Sequence, residues 1–560
     1  MNNTNVDVTI EYVNEIKCKV IASKEILYSL RNEYSFFVDG YKFNPKYKSG
    51  MWDGKIYMLD SKGLFYSGLL KSLLKTCKSK GLTIKVNDIH NYMPSKIDDS
   101  VINKLLSYSK LTPFDYQLKS IRESLEKRKL LVLSPTSSGK SLIIYFLYRY
   151  CVDNNIPLLI TVPSTSLVEQ IYADFEDYTN DDHNVSDYTA KLYSGQEKNP
   201  THQVIISTWQ SLMNKEPEWF SKFNFYICDE AHCAASVEVS KIIDNLSYCK
   251  YRIGLTGTLS GAEMHELEMQ ARFGDIFKMV STRELIDRGI VTDIEIKMQE
   301  LKYESHVTDH FYKYSKDYNG KINYQKEIDF IINLDIRNKY IIDLANSLNT
   351  TTLMLFNKIE DHGKKLLEEL NNTSVKHLKK VYYIAGSVKT KDREKIRKAL
   401  DGELPIFYKF KYQTGFLVVP EDFISEEIIN NKKIDLSKLN DNDYYIENDI
   451  NHNDCFIDYE KLEGSFILLA TYGTLSTGVN IKNLHNLIFT QGFKSKIRNL
   501  QSIGRVLRKS KVKNKVYLYD LVDDFRKGKK ENYSYRHGVE RMKIYEDEEF
   551  DYDIIPTEIK

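Results

Sequence analysis

Proline is scarce in this chain, 11 among 560 residues, and tryptophan is scarcer at three. With 42% hydrophobic and 12% aromatic residues beside so little Pro, collagen-like and wholly disordered classes are excluded. Long hydrophobic runs are also missing. Runs such as residues 130–133, 158–162 and 466–470 are strand-sized and fall short of the roughly 20 residues a membrane span needs. The first residues, MNNTNVDVTI, lack a basic region followed by an apolar core, so no signal peptide is expected. The seven cysteines (Cys18, Cys77, Cys151, Cys228, Cys233, Cys249, Cys455) form no Cys-x-x-Cys and are odd in number. A disulfide framework or zinc module is therefore not expected, and a reducing cytoplasm fits. His306 and His310 lie one helical turn apart without a third ligand nearby, so no metal site is expected there. Net charge is nearly absent: 79 Lys and Arg against 78 Asp and Glu leave +1, which at face value argues against a polyanion partner.

What is present has a clear grain. The length suggests three or four units at about 150 residues each. Residues 1–95 mix short β-like runs with turns; Asp39-Gly40 and Asp53-Gly54 look like hairpin turns between aromatic-rich segments. A helical pattern covers 69–80, and Met93-Pro94-Ser95 begins a polar connection. From about residue 111, aliphatic runs at 130–133, 158–162, 204–207, 225–228 and 252–255 alternate with helical stretches. A second series follows at 352–356, 381–384, 466–470, 487–489 and 516–519. Such runs read as buried parallel strands, giving two α/β lobes behind a small N-terminal module. Residues 403–463, rich in Asn, Asp and Tyr, interrupt the second series as an insertion.

The strongest chemical signal is Ser134-Pro-Thr-Ser-Ser-Gly-Lys-Ser141, placed after a strand-like run and before the helical run 142–150. Strand, loop and helix make a phosphate cradle there, because loop amides and the helix N-terminus point at an anion. Pro135, Thr136, Ser137, Ser138 and Gly139 would form the cradle. Lys140 would reach the β- and γ-phosphates, and the Ser141 hydroxyl would join a Mg²⁺ shell. Ser134 stands where the usual pattern has its first Gly. Asp229-Glu230-Ala231-His232 follows the run 225–228, so both carboxylates emerge at a strand's C-terminal end, where α/β sheets place ligands. Asp229 can hold Mg²⁺, and Glu230 can orient and deprotonate the attacking water.

Phosphate loop and Asp-Glu-Ala-His together resemble the DEAH-type superfamily 2 helicases, and further motifs appear in order. Phe114-Asp-Tyr-Gln117 is similar to the adenine-reading element, which puts Phe114 and Gln117 at the nucleotide. Val162-Pro-Ser-Thr-Ser-Leu167 and Ser207-Thr-Trp-Gln-Ser-Leu212 resemble the first lobe's strand-contacting motifs, which implicates Pro163 and Thr208. Thr256-Gly-Thr258 resembles the motif that couples hydrolysis to lobe movement, and His232 joins Thr256 and Thr258 in that role. Thr471-Tyr-Gly-Thr-Leu-Ser-Thr-Gly-Val-Asn480 resembles the second lobe's motif, with Thr471 toward nucleic acid and Gly478 toward nucleotide. Gln501-Ser-Ile-Gly-Arg-Val-Leu-Arg508 resembles the arginine-finger helix, giving Gln501, Arg505 and Arg508 catalytic roles. Phe36-Phe-Val-Asp-Gly-Tyr-Lys-Phe-Asn-Pro45 and Gly50-Met-Trp-Asp-Gly-Lys55 are similar to the start of the UvsW family of phage recombination helicases. That similarity runs along nearly the whole chain, including Lys494-Ser-Lys496.

The resemblance implies an α/β fold of two tandem RecA-like lobes, 96–290 (ATP-binding) and 291–545, the second carrying the insertion. A small α+β nucleic-acid-binding domain at 1–95 would precede them, and an acidic tail at 546–560 would follow. It also implies an ATP-dependent DNA helicase using ATP and Mg²⁺. One lobe would supply Lys140, Ser141, Asp229 and Glu230, the other Arg505 and Arg508, whose planar cations suit γ-phosphate oxygens. ATP would close the lobes and hydrolysis reopen them. Substrates would be branched DNA: Holliday junctions to migrate, stalled forks to regress and R-loops to unwind. Partners would be single-stranded DNA, RNA within R-loops, and recombination or single-strand-binding proteins. The enzyme would work as a monomer in the cytoplasm of an infected bacterial host, without a membrane. An RNA helicase, or the motor subunit of a restriction-type translocase, are the alternatives. Two features depart from the family: the insertion, and Asn480 where many members carry Asp near the ribose.

Nucleic-acid contacts have their own signals. Lys494, Lys496, Arg498, Arg505, Arg508, Lys509, Lys511, Lys513 and Lys515 fall in one acid-free stretch suited to phosphate neutralisation. Within it, 511–515 reads better as a solvated lysine-rich loop. In the N-terminal module Lys42, Lys46, Lys48 and Lys55 interleave with Tyr41, Phe43, Tyr47 and Trp52. Such aromatics can stack on bases, with Trp52 and Lys55 as the leading pair, or simply fill a small core. The charge balance then changes meaning. Residues 421–460 hold twelve acids against three lysines, so they contribute −9 to the net +1 and the remainder of the chain carries +10.

Overall fold

The computed structural model describes all residues except 1–5, 39, 89–93, 181–182, 197–199, 260–262, 387, 389, 449, 451–453, 477–480 and 511–512. Asp39, Met93, Gly478, Asn480 and Lys511, singled out above, lie outside the described residues. The chain divides into two units, Met1–Ser281 and Thr282–Lys560.

In the first unit an N-terminal sheet has the strand order Leu64–Tyr66, Lys17–Ala22, Val8–Tyr12, Ile84–Val86. Its apolar alternation buries Val8, Ile10, Cys18, Val20 and Phe65 against Leu73 and Cys77 of the helix Leu70–Ser79. The module is fixed to the rest of the unit. Lys129 pairs with Glu15 at 3.2 Å, and Glu15 N–H donates to Ser247 O at 3.0 Å. Gly68 allows the closest approach, since a Cβ there would fall 2.3 Å from Gln270 O. The aromatic stretch departs from the expected hairpins. Ser35–Phe37 and Lys55–Tyr57 do pair antiparallel, but Tyr41–Phe43 and Pro45–Lys48 between them are helical turns, capped by Asn44 accepting from Lys46 N–H.

The larger sheet of the first unit has the order Asp275–Lys278, Lys129–Leu133, Tyr251–Thr256, Phe225–Asp229, Leu158–Val162, Val204–Thr208, Thr189–Leu192. All its pairings are parallel. The five expected strands form its centre, where residues such as Leu131, Ile160, Ile206 and Ile227 are fully buried.

The second unit has another parallel sheet, in the order Lys379–Ile384, Ser465–Thr471, Thr352–Phe356, Asn486–Phe489, Lys515–Asp524, Asp293–Tyr303, Asp551–Ile559. Two parallel sheets flanked by helices are the expected pair of RecA-like lobes. The acidic segment expected to be a tail is instead the edge strand Asp551–Ile559, paired along Asp293–Tyr303. Edge position explains the composition: one side of such a strand faces water, so charges are tolerated and blunt further pairing. Behind the sheet, Arg541 makes a bidentate pair with Asp520 (2.7 and 2.8 Å), which also accepts Tyr545 O–H at 2.8 Å. Buried Glu327 accepts Tyr533 N–H (2.9 Å), Ser534 N–H (2.6 Å) and Asn532 Nδ2–H (3.0 Å), closing the N-terminus of the helix Tyr533–Asp547.

The insertion has a sheet and a core of its own. Tyr445–Glu447, Phe416–Pro420, Ile406–Lys411 and Asp458–Glu463 form an antiparallel sheet around Tyr408, Phe410, Leu417, Val419, Ile434 and Phe456. Ile406 faces Glu463 in register and Gly464 N–H donates to Pro405 O at 2.8 Å, so the two ends lie side by side. Among the described residues no helix is long and apolar enough to cross a membrane.

Candidate functional site

The register of the first large sheet brings the motifs to one edge. Thr256 lies opposite Leu133, Asp229 opposite Leu255, and Thr208 opposite Val162. The phosphate loop, Thr256-Gly-Thr258, Asp229-Glu230 and the segments carrying Pro163 and Thr208 therefore all leave C-terminal strand ends, where this layer fold opens to ligands.

The loop after Lys129–Leu133 is braced from within. Ser134 N–H donates to Thr256 O at 2.8 Å, and Ser134 Oγ is hydrogen-bonded to Ser138 Oγ, which also donates to Pro135 O at 2.7 Å. Ser134 thus replaces the usual Gly with a hydroxyl that pins the loop. Ser138, 1% exposed, turns its side chain inward. Ser137 (φ +68°) and Gly139 (φ +81°) are left-handed, which curls the amides of the loop into a concave anion cradle ahead of the helix Lys140–Asp153. Gln117 lies beneath it. Its Nε2 donates to Ser138 O (2.9 Å) and Gly139 O (3.3 Å), and its Oε1 accepts Phe114 N–H (2.8 Å). A Cβ at Gly139 would fall 2.2 Å from that Nε2. Gln117 is thus a strut between the loop and Phe114, whose ring is 45% exposed and stacked on Tyr116. This strut was not legible in the sequence. A polar residue three after Phe114 signals a capping box as readily as a ligand contact.

Asp229 ends its strand buried, and Glu230 turns sharply into the left-handed region at φ +54°. A non-glycine residue held there is strained and is kept by its surroundings. The turn aims Glu230 Oε1 at Lys140 Nζ (3.7 Å) and Oε2 at His232 Nδ1 (3.3 Å). His232 Nδ1 also lies 3.2 Å from Thr256 Oγ1, which donates to Thr258 O at 3.1 Å. Burial, then the neighbouring Glu230, pushes the Asp229 carboxyl up to about 6. Burial opposes charge on His232, but hydrogen bonds to Cys233 and Glu230 outweigh it and raise the imidazole to about 10. Lys140, Glu230, His232, Thr256 and Thr258 form one connected chain of contacts.

In the second unit Gln501 and Arg505 lie on the helix Lys496–Val506, with Arg508 just beyond; all three side chains are half-buried. Lys513 corrects the expectation of a solvated loop: it is 3% exposed and donates to Val506 O at 2.7 Å, capping the last turn of this helix. The cation is used there because the helix's C-terminal carbonyls carry its negative end. Lys515 and Lys496 are likewise paired, with Glu295 (2.7 Å) and Asp547 (2.8 Å), while Lys494 and Arg498 are exposed. Thr471 Oγ1 accepts Thr474 N–H at 3.2 Å, starting the helix Tyr472–Ser476. Thr208, 5% exposed, is hydrogen-bonded to Ser211, and Pro163 is half-buried. In the N-terminal module Trp52 Nε1–H donates to Lys55 O at 2.9 Å, and Lys55 lies over the Phe37 ring. Phe37, Tyr41 and Tyr47 pack on one another, whereas Phe43 is 81% exposed.

Comparison with known proteins agrees with this geometry. Residues 110–261 match the family of the type III restriction enzyme res subunit, and residues 7–87 match the N-terminal domain of DNA helicase UvsW. The chain is 30% identical to the ATP-dependent DNA helicase uvsW of Enterobacteria phage T4 over 570 aligned residues, covering 98% of each. The crystal structure of T4 UvsW is matched at 28% identity over 99% of this chain and 100% of that one, with a TM-score of 0.45. The DNA-bound type ISP restriction-modification enzyme LlaBIII, 13% identical, is matched over 86% of this chain and 34% of that one with a TM-score of 0.50, a likeness of fold. The motor motifs on one sheet edge and an identity that spans nearly the full length of both chains lead to one conclusion: the chain belongs to the UvsW family of ATP-dependent DNA helicases.

Proposed function

We propose that this helicase acts on branched DNA, migrating Holliday junctions, regressing stalled forks and unwinding R-loops during phage recombination, repair and replication. The observation that carries the reading is the family membership across the N-terminal module as well as the motor. The working compartment is the cytoplasm of the infected bacterium. Its partners are branched and single-stranded DNA, RNA within R-loops, and recombination or single-strand-binding proteins.

In this reading the triphosphate sits in the cradle of 135–139, with Phe114 against the base. Lys140, now facing Glu230, transfers to the β- and γ-phosphates, and Glu230 is released to orient and deprotonate water. Asp229 Oδ1 is buried without a hydrogen-bond partner among the described residues, so it and the Ser141 hydroxyl fit Mg²⁺. Held there, Mg²⁺ would supply neutralisation of phosphate charge. Arg505 and Arg508 stabilise the γ-phosphoryl charge, with Gln501 beside them. His232, Thr256 and Thr258 pass the phosphate state to the strand ends bearing Pro163 and Thr208. Thr471, Lys494, Lys496, Trp52 and Lys55 contact nucleic acid.

The test compares unwinding of a Holliday junction, an R-loop and a simple tailed duplex. Faster turnover on the two branched substrates is expected. Equal rates on all three, or ATPase stimulated by structured RNA alone, would reject the reading. The insertion is proposed to screen the DNA path electrostatically. Because its ends adjoin, residues 406–463 can be excised with a short turn from Pro405 to Gly464. The shortened enzyme should bind DNA more tightly at low salt and converge on the full chain as salt rises. Unchanged low-salt affinity would sink the idea.

A further inference from the structure

Between the helices Ser305–Tyr314 and Tyr324–Ile332, the second unit carries a turn that none of the motor motifs explains. Lys316 and Ile322 bridge antiparallel, and Asp317 N–H donates to Lys321 O at 2.8 Å. The Asp317 carboxylate accepts Asn319 N–H and Lys321 N–H, both at 2.9 Å, and Gly320 takes the left-handed conformation at φ +73°. Lys326 Nζ donates to Lys316 O at 2.9 Å, and Ile322 packs on the buried Phe311–Phe330 cluster. The base of the turn is thus anchored and its backbone is pre-set.

At its tip stands Tyr318, 97% exposed. An aromatic ring in water on an ordered turn loses little conformational freedom when it stacks, so its face is available at low entropic cost. In sequence Lys313, Lys316, Lys321 and Lys326 flank it, while the intervening Asp317 carboxylate is hydrogen-bonded within the turn. The helix that follows the turn opens with Tyr324, whose electrostatic surroundings include the basic segment after the Asn486–Phe489 strand. Tyr324 packs edge-on against Tyr533 at 5.3 Å and beside His537 at 5.5 Å, and Arg498 and Lys494 lie close enough to act electrostatically on Tyr324 and His537.

We propose that Tyr318 stacks on an unpaired nucleobase where the duplex opens, with Lys316 and Lys321 contacting the flanking phosphates. Exposed bases present a π-face whatever their identity, so the contact is sequence-tolerant. The assignment rests on the helicase reading above and adds to it the group that holds the separated strand.

The probe is a forked DNA duplex with 2-aminopurine at the first unpaired position. Binding should quench its fluorescence by stacking. Tyr318→Ala should lose the quench and bind the fork about tenfold more weakly, within the range of one lost base–aromatic stack. Tyr318→Trp should restore both. Quenching by Tyr318→Ala equal to that of the unaltered enzyme overturns the proposal, as does a Trp variant as defective as the Ala variant. If the unaltered enzyme opens no fork at all, the helicase reading fails and this assignment falls with it.

Discussion

Glu230→Gln should lower DNA-stimulated ATP turnover by about 10²–10⁴-fold, the usual contribution of a positioned general base, while nucleotide still binds. The amide keeps the shape of the side chain but neither its basicity nor its charge. Nothing in the cradle of 135–139 depends on that charge, because the loop is held by Ser134, Ser138 and Gln117. Removing a carboxylate that faces Lys140 at 3.7 Å also leaves the lysine to the triphosphate alone. Lys140→Ala should behave differently and lose binding and turnover together. Steady-state kcat beside nucleotide affinity from calorimetry separates the two. A Glu230→Gln enzyme that turns over like the unaltered one would remove Glu230 from the chemistry.

Asp520→Ala should destabilise the second unit by about 3–5 kcal/mol, the cost of leaving a buried charge without its partner. Arg541 is 1% exposed and directs two N–H groups at Asp520, which also takes the Tyr545 hydroxyl. Truncating the carboxylate strands both. Replacing the pair together, Asp520→Leu with Arg541→Leu, should recover much of the loss, since apolar substitutes avoid the desolvation cost. Urea unfolding of the three proteins is the measurement, and a single variant as stable as the unaltered chain would refute the assignment. The pair also supports the motor. Gly492 packs on the Arg541 guanidinium, with a hypothetical Cβ only 2.3 Å from its central carbon, and Tyr472 O–H donates to Gln491 O at 3.1 Å. The turn that leads to Lys494 and the arginine helix is therefore seated on this ion pair.

Central strands were legible because burial on both faces demands continuous apolar runs, and all ten anticipated runs lie within parallel strands. Of the four rim strands only Lys379–Ile384 was, through its run 381–384. Thr189–Leu192, Asp275–Lys278 and Asp551–Ile559 are partly exposed and carry no such run. Asp293–Tyr303 was missed for another reason: it alternates buried and partly exposed residues, a two-residue period rather than a block. Within the site, Lys140, Asp229 and Glu230 were readable because their chemistry fixes residue type and spacing. Gln117 as a strut and Asp520–Arg541 as a buried pair depend on partners 21 residues away, and Lys513 as a helix cap depends on how the chain turns back after Val506; no local pattern announces them.

The closed ends of the insertion also bear on how the second unit folds. The adjacent strands Lys379–Ile384 and Ser465–Thr471 must meet across the intervening chain. If that chain were a loose loop of roughly 80 residues rather than roughly 20, closing it would cost about 1 kcal/mol more in entropy. A β-module that forms first and brings its own termini together removes most of that difference before the strands pair. Early protection of 406–463 in pulsed hydrogen exchange, ahead of Ser465–Thr471, would be the kinetic signature of such an order.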